Sequence, residues 1–258
     1  MTSNVFDQLT QIMVRLRDKE TGCPWDIEQD FRSILPHTLE EAYEVADAIE
    51  REDFDDLKEE LGDLLLQVVF HAQMAKEEGL FSIDDVLTEL NDKLVRRHPH
   101  VFGDENAYAA SDVEDIWEAE KAKEKHAEVN KSALDGVTKH LPALLRAQKL
   151  QKKAAKTGFE WQSLSGFIDK CHEELDELKE AISACNPDDI EDELGDVLFC
   201  FVNLARHLKV NAEESLRKAN NKFINRFNKM EYLAQKESKV ISDLSVDQML
   251  NLWSQVKQ

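Results

Sequence analysis

Residues 59–70 read EELGDLLLQVVF, and the stretch places two carboxylates, Glu60 and Asp63, just before a run that is apolar almost all round. The spacing of three puts both side chains on one face of a helix. Burying a carboxylate costs free energy unless a cation or hydrogen bonds compensate the charge. The stretch therefore predicts a helix whose acidic pair enters the core together with a partner of opposite charge.

The composition is that of a helical protein. The 258 residues include only 8 Gly and 5 Pro, and 33% of them are charged. This composition favours helices, and no segment predicts a strand. The formal net charge of -21 argues against a nucleic acid as partner. An anionic substrate would need local cations or a metal ion to bind here.

The cysteine pattern and the N-terminus favour a soluble, cytoplasmic protein with no membrane partner. Cys23, Cys171, Cys185 and Cys200 include no CxxC pair and are too sparse for a disulfide scaffold. The N-terminal segment has no apolar signal core, and no stretch reaches the length of a membrane span.

Capping signals mark the limits of the clearest helices. The predicted helices are 54–78 between Asp53 and Gly79, 83–98 between a capping-box-like SIDD and Pro99, 187–208 after Asn186, and 212–236 after Asn211.

An internal repeat organises the chain. Two pairs of stretches recur at an offset of 133 and a third at 129: LEEAYE (39–44) with HEELDE (172–177), ELGDLL (60–65) with ELGDVL (193–198), and NDKLVRR (91–97) with NNKFINR (220–226). The chain is therefore predicted to consist of two copies of one all-helical unit. We place them at residues 1–122 and 140–258, joined by a polar linker, 123–139.

Four carboxylates in each copy are expected to converge. Each copy places two of them on each of two successive helices, and a turn between the helices makes these antiparallel neighbours. Such a cluster repels itself without cations, and oxygen ligands suit Mg²⁺ or Mn²⁺. The predicted metal ligands are Glu41, Glu44, Glu60 and Asp63 in the first copy, and Glu174, Glu177, Glu193 and Asp196 in the second.

The same residues also allow a structural interpretation. In an acidic chain any single carboxylate is more often a solvated surface group, and Glu41 alone could close a capping box with Thr38. A polar stripe that includes Gln67, His71, Cys200 and Asn203 continues from the clusters, and its amides could be buried polar groups satisfied within the core or ligand contacts.

Basic and aromatic residues outside the clusters could complete a binding site. Lys222 and Arg226 lie four apart on one helical face, as do Lys93 and Arg97. Such pairs usually face solvent, but beside a metal site they would hold phosphate oxygens. Trp161 and Trp253 could stack on a base, although packing is the commoner use of Trp. Together these features suggest a nucleoside triphosphate site without a P-loop.

The motifs resemble the MazG family of all-α nucleoside triphosphate pyrophosphohydrolases. The resemblance rests on EExxE followed by ExxD, and extends through GCPWD, ELGDLLLQVVFHAQMA, RRHPHVF, SALDGV and LPALLRAQKLQKKAAKTGF over nearly the whole chain. It implies tandem MazG domains that form four-helix bundles in a homodimer. It also implies Mg²⁺-dependent hydrolysis of NTPs and dNTPs to monophosphate and pyrophosphate.

The resemblance also assigns roles to single residues. Glu173, Glu174 and Glu193 are the expected catalytic residues, with Glu173 or Glu174 positioning or deprotonating the attacking water. The second copy is expected to be the catalytic one. The expected nucleotide-binding residues are Lys170, Glu173, Asp196, Lys222, Asn225, Arg226 and Trp253.

Two other classes of protein remain as alternatives at this point. A ferritin-type di-iron bundle needs ExxH pairs, and none of the 8 histidines follows a Glu by three positions. A non-catalytic acidic interaction protein, in which the repeat serves only dimerisation, would release no pyrophosphate from NTPs.

Overall fold

The computed structural model describes residues 4–103, 109, 112–113, 116–117, 119–120, 132–160 and 163–257. The chain divides into two compact units, Met1–Glu128 and Val129–Gln258. The division falls within the predicted linker 123–139, whose residues 123–131 lie outside the described residues; the limits of the domains stay a prediction. The described residues form helices and turns without a strand, which confirms the all-α prediction. None of the described helices is long and apolar enough to cross a bilayer.

The first unit is built around a helical hairpin. Its helices are α1 (Val5–Leu16), α2 (Pro24–Glu28), α3 (Phe31–Arg51), α4 (Phe54–Glu77), α5 (Ile83–Arg97) and α6 (Pro99–Phe102). Helices α3 and α4 make the hairpin, and α1 and α5 pack against α4.

The second unit repeats this hairpin. Its helices are α7 (Ala143–Ala155), α8 (Leu164–Ala184), α9 (Pro187–His207), α10 (Ala212–Lys236), a 3₁₀ turn (Ile241–Asp243) and α11 (Val246–Val256). Helices α8 and α9 make the hairpin, while α7 packs on α9 and α11 packs on α10.

Side-chain capping confirms three of the predicted helix starts. The Asp53 and Asn186 side chains accept hydrogen bonds from the first-turn amides of α4 and α9, and Ser82 closes a capping box with Asp85 at α5. Helix α5 ends at Arg97, just before Pro99, as predicted; Pro99 also begins a short further helix, because proline is well accommodated at the first helical position.

Helix α3 begins earlier than a capping box at Thr38 requires. Asp30 is its N-cap, and its carboxylate accepts hydrogen bonds from the amides of Arg32 (2.7 Å) and Ser33 (2.8 Å). The helix runs through Pro36, so Thr38 and Glu41 lie in its interior. The capping-box interpretation of Glu41 is therefore wrong.

Both hairpins turn through two residues, and each turn uses a non-glycine residue in the left-handed region. Glu52 has φ 55° and Cys185 has φ 54°, at equivalent positions of the repeat. Asp53 and Asn186 follow them and cap the next helices. A connection this short holds the two helices antiparallel and sets which residues face each other across the hairpin.

The core of the first unit lies between α1, α3 and α4. Its buried members are Met13, Ile34, Val69, Phe70 and Met74. The Arg17 side chain, only 9% exposed, pairs with Glu77 at 2.8 Å and ties the end of α1 to the end of α4. These contacts hold the carboxylate-bearing hairpin rigid from the side opposite its turn.

Candidate active site

Three of the four predicted ligands meet in the first hairpin. Carboxylate oxygens of Glu41 and Glu44 on α3 and of Glu60 on α4 lie within 4.8 Å of one another. Glu60 is the seventh residue of α4, beyond the first turn, so the helix dipole gives it little help.

The second hairpin brings together the equivalent three. Carboxylate oxygens of Glu174 and Glu177 on α8 and of Glu193 on α9 lie within 4.8 Å of one another. Glu174 is buried, with 7% of its surface exposed, whereas Glu177 is exposed. The prediction that carboxylates from both helices of each hairpin converge is therefore correct for these six residues.

The fourth carboxylate of each set lies close to the other three without joining that group. The negative charge of Asp63 raises the pKa of Glu41 and of Glu60, and Asp196 raises that of Glu193. Asp196 is itself exposed. Both aspartates are therefore near enough to act on the cluster, and whether they are ligands stays a prediction.

The carboxylates within each cluster repel one another, and this repulsion contributes to the raised pKa values of several of them. Desolvation is the largest cause that raises the pKa of Glu60 and Glu193, followed by the charges of Glu44 and Glu177 respectively. Glu41 and Glu177 have raised pKa values for the same two reasons. Each ionised carboxylate therefore makes the next one harder to ionise, and a cation would relieve this repulsion.

The two hairpins differ in the residue that precedes the EExxE motif. In the second, the ammonium of Lys170 pairs with Glu173 and with Glu174, both at 2.8 Å, and these contacts raise the pKa of Lys170. In the first, His37 occupies the equivalent position, and its ring lies 3.6 Å from Glu40. The second cluster thus has a permanent positive charge beside it.

The remaining predicted nucleotide-binding residues form a separate group. The Arg226 guanidinium lies 5.7 Å from the Trp253 ring, which also contacts Phe223 at 5.6 Å. Lys222 and Asn225 are exposed on the same helix, α10. Among the described residues, no ion pair joins Lys222 or Arg226 to the carboxylates. Trp161 lies outside the described residues.

Next to the carboxylates, on the side away from the turn, the two hairpins carry different residues at equivalent positions. In the first, Gln67 is buried and its amide nitrogen donates to Glu41 at 3.4 Å, while Thr38 lies 3.1 Å from the Nε2 atom of His71. Burial lowers the pKa of His71. In the second, Cys171 faces Cys200. Asn203 is half-buried and accepts a hydrogen bond from Arg206 at 2.9 Å.

The contact between Cys171 and Cys200 is not among the predictions from the sequence. The polar stripe includes Gln67 and Cys200 but not Thr38 and Cys171 on the preceding helices. The signal was available: both hairpins turn through two residues, so a residue three positions before Glu41 or Glu174 must face one about four positions after Asp63 or Asp196.

The donor set fits a hard divalent cation. Each cluster offers carboxylate oxygens without a nitrogen or sulfur ligand among the described residues, which suits Mg²⁺ or Mn²⁺ better than softer metals. In the first hairpin Gln67 Oε1 is buried and has no hydrogen-bond partner among the described residues, while the amide nitrogen of the same side chain donates to Glu41. A buried oxygen without a partner next to the cluster agrees with a site that holds a hydrated ion.

The fold and these two clusters define an all-helical protein in which each of two repeated hairpins carries a group of carboxylates that could hold a metal ion. Residues 29–102 and 162–230 match the MazG nucleotide pyrophosphohydrolase domain. The chain belongs to this family and contains two of its domains in tandem, as the resemblance implied.

Full-length relatives agree with this assignment. The nucleoside triphosphate pyrophosphohydrolase of Escherichia coli strain K12 is 50% identical over 257 residues, 99% of this chain and 98% of that protein. The nucleoside triphosphate pyrophosphohydrolase/pyrophosphatase MazG of Thermotoga maritima is 45% identical over 253 residues, 98% of this chain and 96% of that protein.

Among solved structures, a crystal structure of a mazG-related protein from Thermotoga maritima is 27% identical with a TM-score of 0.39. The similarity covers 45% of this chain and 98% of that one.

Proposed function

We propose that this protein is a Mg²⁺-dependent nucleoside triphosphate pyrophosphohydrolase that converts NTPs or dNTPs and water to the monophosphate and pyrophosphate. The observation that supports this most strongly is the meeting of Glu174, Glu177 and Glu193 within 4.8 Å across the α8–α9 hairpin, in a chain of the MazG family. A family domain with an intact carboxylate cluster and an adjacent lysine has the groups that this reaction needs.

In this proposal Glu174, Glu177, Glu193 and Asp196 hold the divalent cation by their carboxylate oxygens. A divalent cation held there would neutralise phosphate charge and make the attacking water easier to deprotonate. Glu173, exposed and outside the group of three, accepts the proton of the attacking water or orients it. Lys170 donates to an oxygen of the triphosphate: its ammonium has three N–H donors, and its contacts with Glu173 and Glu174 use two of them.

The remaining contacts with the nucleotide are assigned to residues of α10 and α11. Arg226 and Lys222 pair with phosphate oxygens, Asn225 hydrogen-bonds the substrate, and Trp253 stacks on the base. Because α10 packs mainly on α7 and α11, we propose that these groups reach a carboxylate cluster in the assembled dimer.

The direct test is a pyrophosphate-release assay on a panel of NTPs and dNTPs with and without Mg²⁺. Magnesium-dependent release, with monophosphate as the second product, supports the proposal and ranks the bases. Failure to turn over any member of the panel at micromolar enzyme leaves the acidic interaction protein as the better hypothesis. The location in a reducing cytoplasm stays a prediction, and a cell-fractionation experiment tests it.

Lys170→Met should raise the KM for the triphosphate about tenfold or more, because one charge-assisted contact contributes about 1.5–3 kcal/mol. The methionine keeps the length and the apolar stem of the side chain but removes the charge. Steady-state kinetics with the preferred nucleotide measures the effect. Lys179→Met is the matched control, since Lys179 lies on the same helix and, within the described part of the chain, pairs only with Asp176. Equal KM values for the two variants would remove Lys170 from the substrate site.

We also propose that the protein is a homodimer. Helix α4 exposes an apolar stripe of Leu61, Leu65 and Val68, and helix α9 exposes its equivalent, Leu194, Leu198 and Phe201. Exposed apolar residues recur likewise on α5 and α10, where Leu94 and Phe223 are equivalent. An apolar face repeated along both copies is typical of a surface that another subunit covers. Helices from two chains would then complete each four-helix bundle.

Sedimentation velocity at micromolar concentration should give the mass of a dimer. Leu198→Glu places a charge in the middle of the α9 stripe and should shift the protein to monomer. Val5→Glu adds the same charge at the exposed first residue of α1 and should leave the dimer intact. A wild-type protein that sediments as a monomer would contradict the proposed assembly.

A further inference from the structure

The layer directly below the second carboxylate cluster consists of two thiols that face each other. Cys171 on α8 and Cys200 on α9 bring their sulfur atoms to 2.9 Å. Both residues are buried, with 6% and 9% of their surface exposed, and both are free cysteines. The other two cysteines, Cys23 and Cys185, are not part of this contact.

In the first hairpin the two equivalent positions carry residues of a different chemical type. Its equivalents are Thr38 and Gln67, which hydrogen-bond to His71 and Glu41. A thiol is a poor replacement for those groups, because sulfur is a weak donor and a weak acceptor. The cysteine pair therefore does not reproduce the polar role of the layer, and its distinctive property is that two thiols can be oxidised together.

The geometry points to a disulfide-forming site. A disulfide has a sulfur–sulfur bond of about 2.05 Å, so closing the bond shortens the present separation by roughly 0.9 Å. The two helices are already held together by their two-residue turn and by buried side chains. We propose that Cys171 and Cys200 form an intramolecular disulfide under oxidising conditions, with hydrogen peroxide as the class of oxidant.

The chemistry balances with one equivalent of peroxide. The sulfur of one cysteine attacks an oxygen of hydrogen peroxide and breaks the O–O bond, which gives a sulfenic acid and one water. The sulfur of the second cysteine then attacks the sulfenic sulfur, forms the S–S bond and displaces a second water. Two thiols are oxidised, and both peroxide oxygens are reduced to water.

The bond would close a ring around the predicted metal ligands. Glu174, Glu177, Glu193 and Asp196 all lie between Cys171 and Cys200 in the sequence. A cross-link stabilises mainly by restricting the unfolded chain, and a closed segment of about thirty residues has a large effect. We expect the melting temperature to rise by roughly 10 °C on oxidation, since each kcal/mol moves it by about 2–4 °C or more.

The test uses a full-length C23S/C185S variant, which keeps only the facing pair. It is incubated with hydrogen peroxide for several hours, because buried thiols react slowly. Peptide mapping by mass spectrometry should find the Cys171 and Cys200 peptides linked, with the loss of two hydrogens. Dithiothreitol should separate the peptides and return the melting temperature to its starting value.

Two results would overturn the inference. One is the recovery of both thiols unmodified after peroxide treatment that oxidises exposed Cys185 in the wild-type chain. The other is their appearance as unlinked sulfinic acids. Cys171→Ser is the negative control and should show no rise in melting temperature with peroxide. If that variant does not fold, the linked or unlinked state of the peptides in C23S/C185S decides alone.

Discussion

Glu193→Gln should reduce pyrophosphate release about 100-fold or more, the scale of losing a major electrostatic contact in an active site. Glutamine keeps the size and the shape of the side chain but removes the negative charge from a carboxylate that faces Glu177 across the hairpin. Because desolvation and the charge of Glu177 raise the pKa of Glu193, the neutral variant should fold at least as stably without metal. Steady-state turnover at saturating Mg²⁺ measures the loss.

Glu60→Gln is the matched control for this experiment. Glu60 holds the equivalent position in the first hairpin, within 4.8 Å of Glu41 and Glu44. We expect this variant to retain most of the turnover, because the first cluster has His37 where the second has Lys170. An inactive Glu60→Gln beside an active Glu193→Gln would reverse the assignment. Two variants that each halve the rate would show that both hairpins catalyse.

Removal of divalent cations with EDTA should abolish hydrolysis. Added back, Mg²⁺ or Mn²⁺ should restore it and raise the melting temperature, because a ligand that binds only the folded state stabilises it by mass action. At a concentration 100 times the dissociation constant this amounts to about 2.7 kcal/mol, or roughly 5–10 °C for a chain of this size. Differential scanning fluorimetry across a magnesium titration measures the shift. Full activity in excess EDTA would contradict the metal site.

The stabilisation by Mg²⁺ should also depend on pH, and the pKa shifts of the clustered carboxylates determine the direction of this dependence. Glu41, Glu60, Glu177 and Glu193 have folded-state pKa values raised above the ordinary value of 4.5. Just above that value the folded state binds more protons than the unfolded state, so the contribution of these groups to stability falls as the pH rises. Protons and Mg²⁺ compete for the same oxygens. The increase in melting temperature with Mg²⁺ should therefore be larger at pH 7 than at pH 5.

Much of the local structure follows from the sequence because its causes are local. Asp53, Asn186 and Asn211 cap helices with their own side chains, and the three-residue spacing of Glu174 and Glu177 places them on one helical face without reference to anything else. The repeat at an offset of 133 extends this argument from one hairpin to the other. The limits of four helices, the tandem organisation and the convergence of the carboxylates could be predicted on these grounds.

The tertiary structure decided which side chains of neighbouring helices face each other. Helical periodicity gives the direction of a side chain about its own axis but not the residue across the interface, which depends on where each helix begins and how its connection turns. The start of α3 at Phe31 removed the capping role of Glu41, and the left-handed Glu52 and Cys185 set the register of both hairpins. Only that register places Cys171 against Cys200, because 29 positions separate them along the chain while their sulfur atoms are 2.9 Å apart.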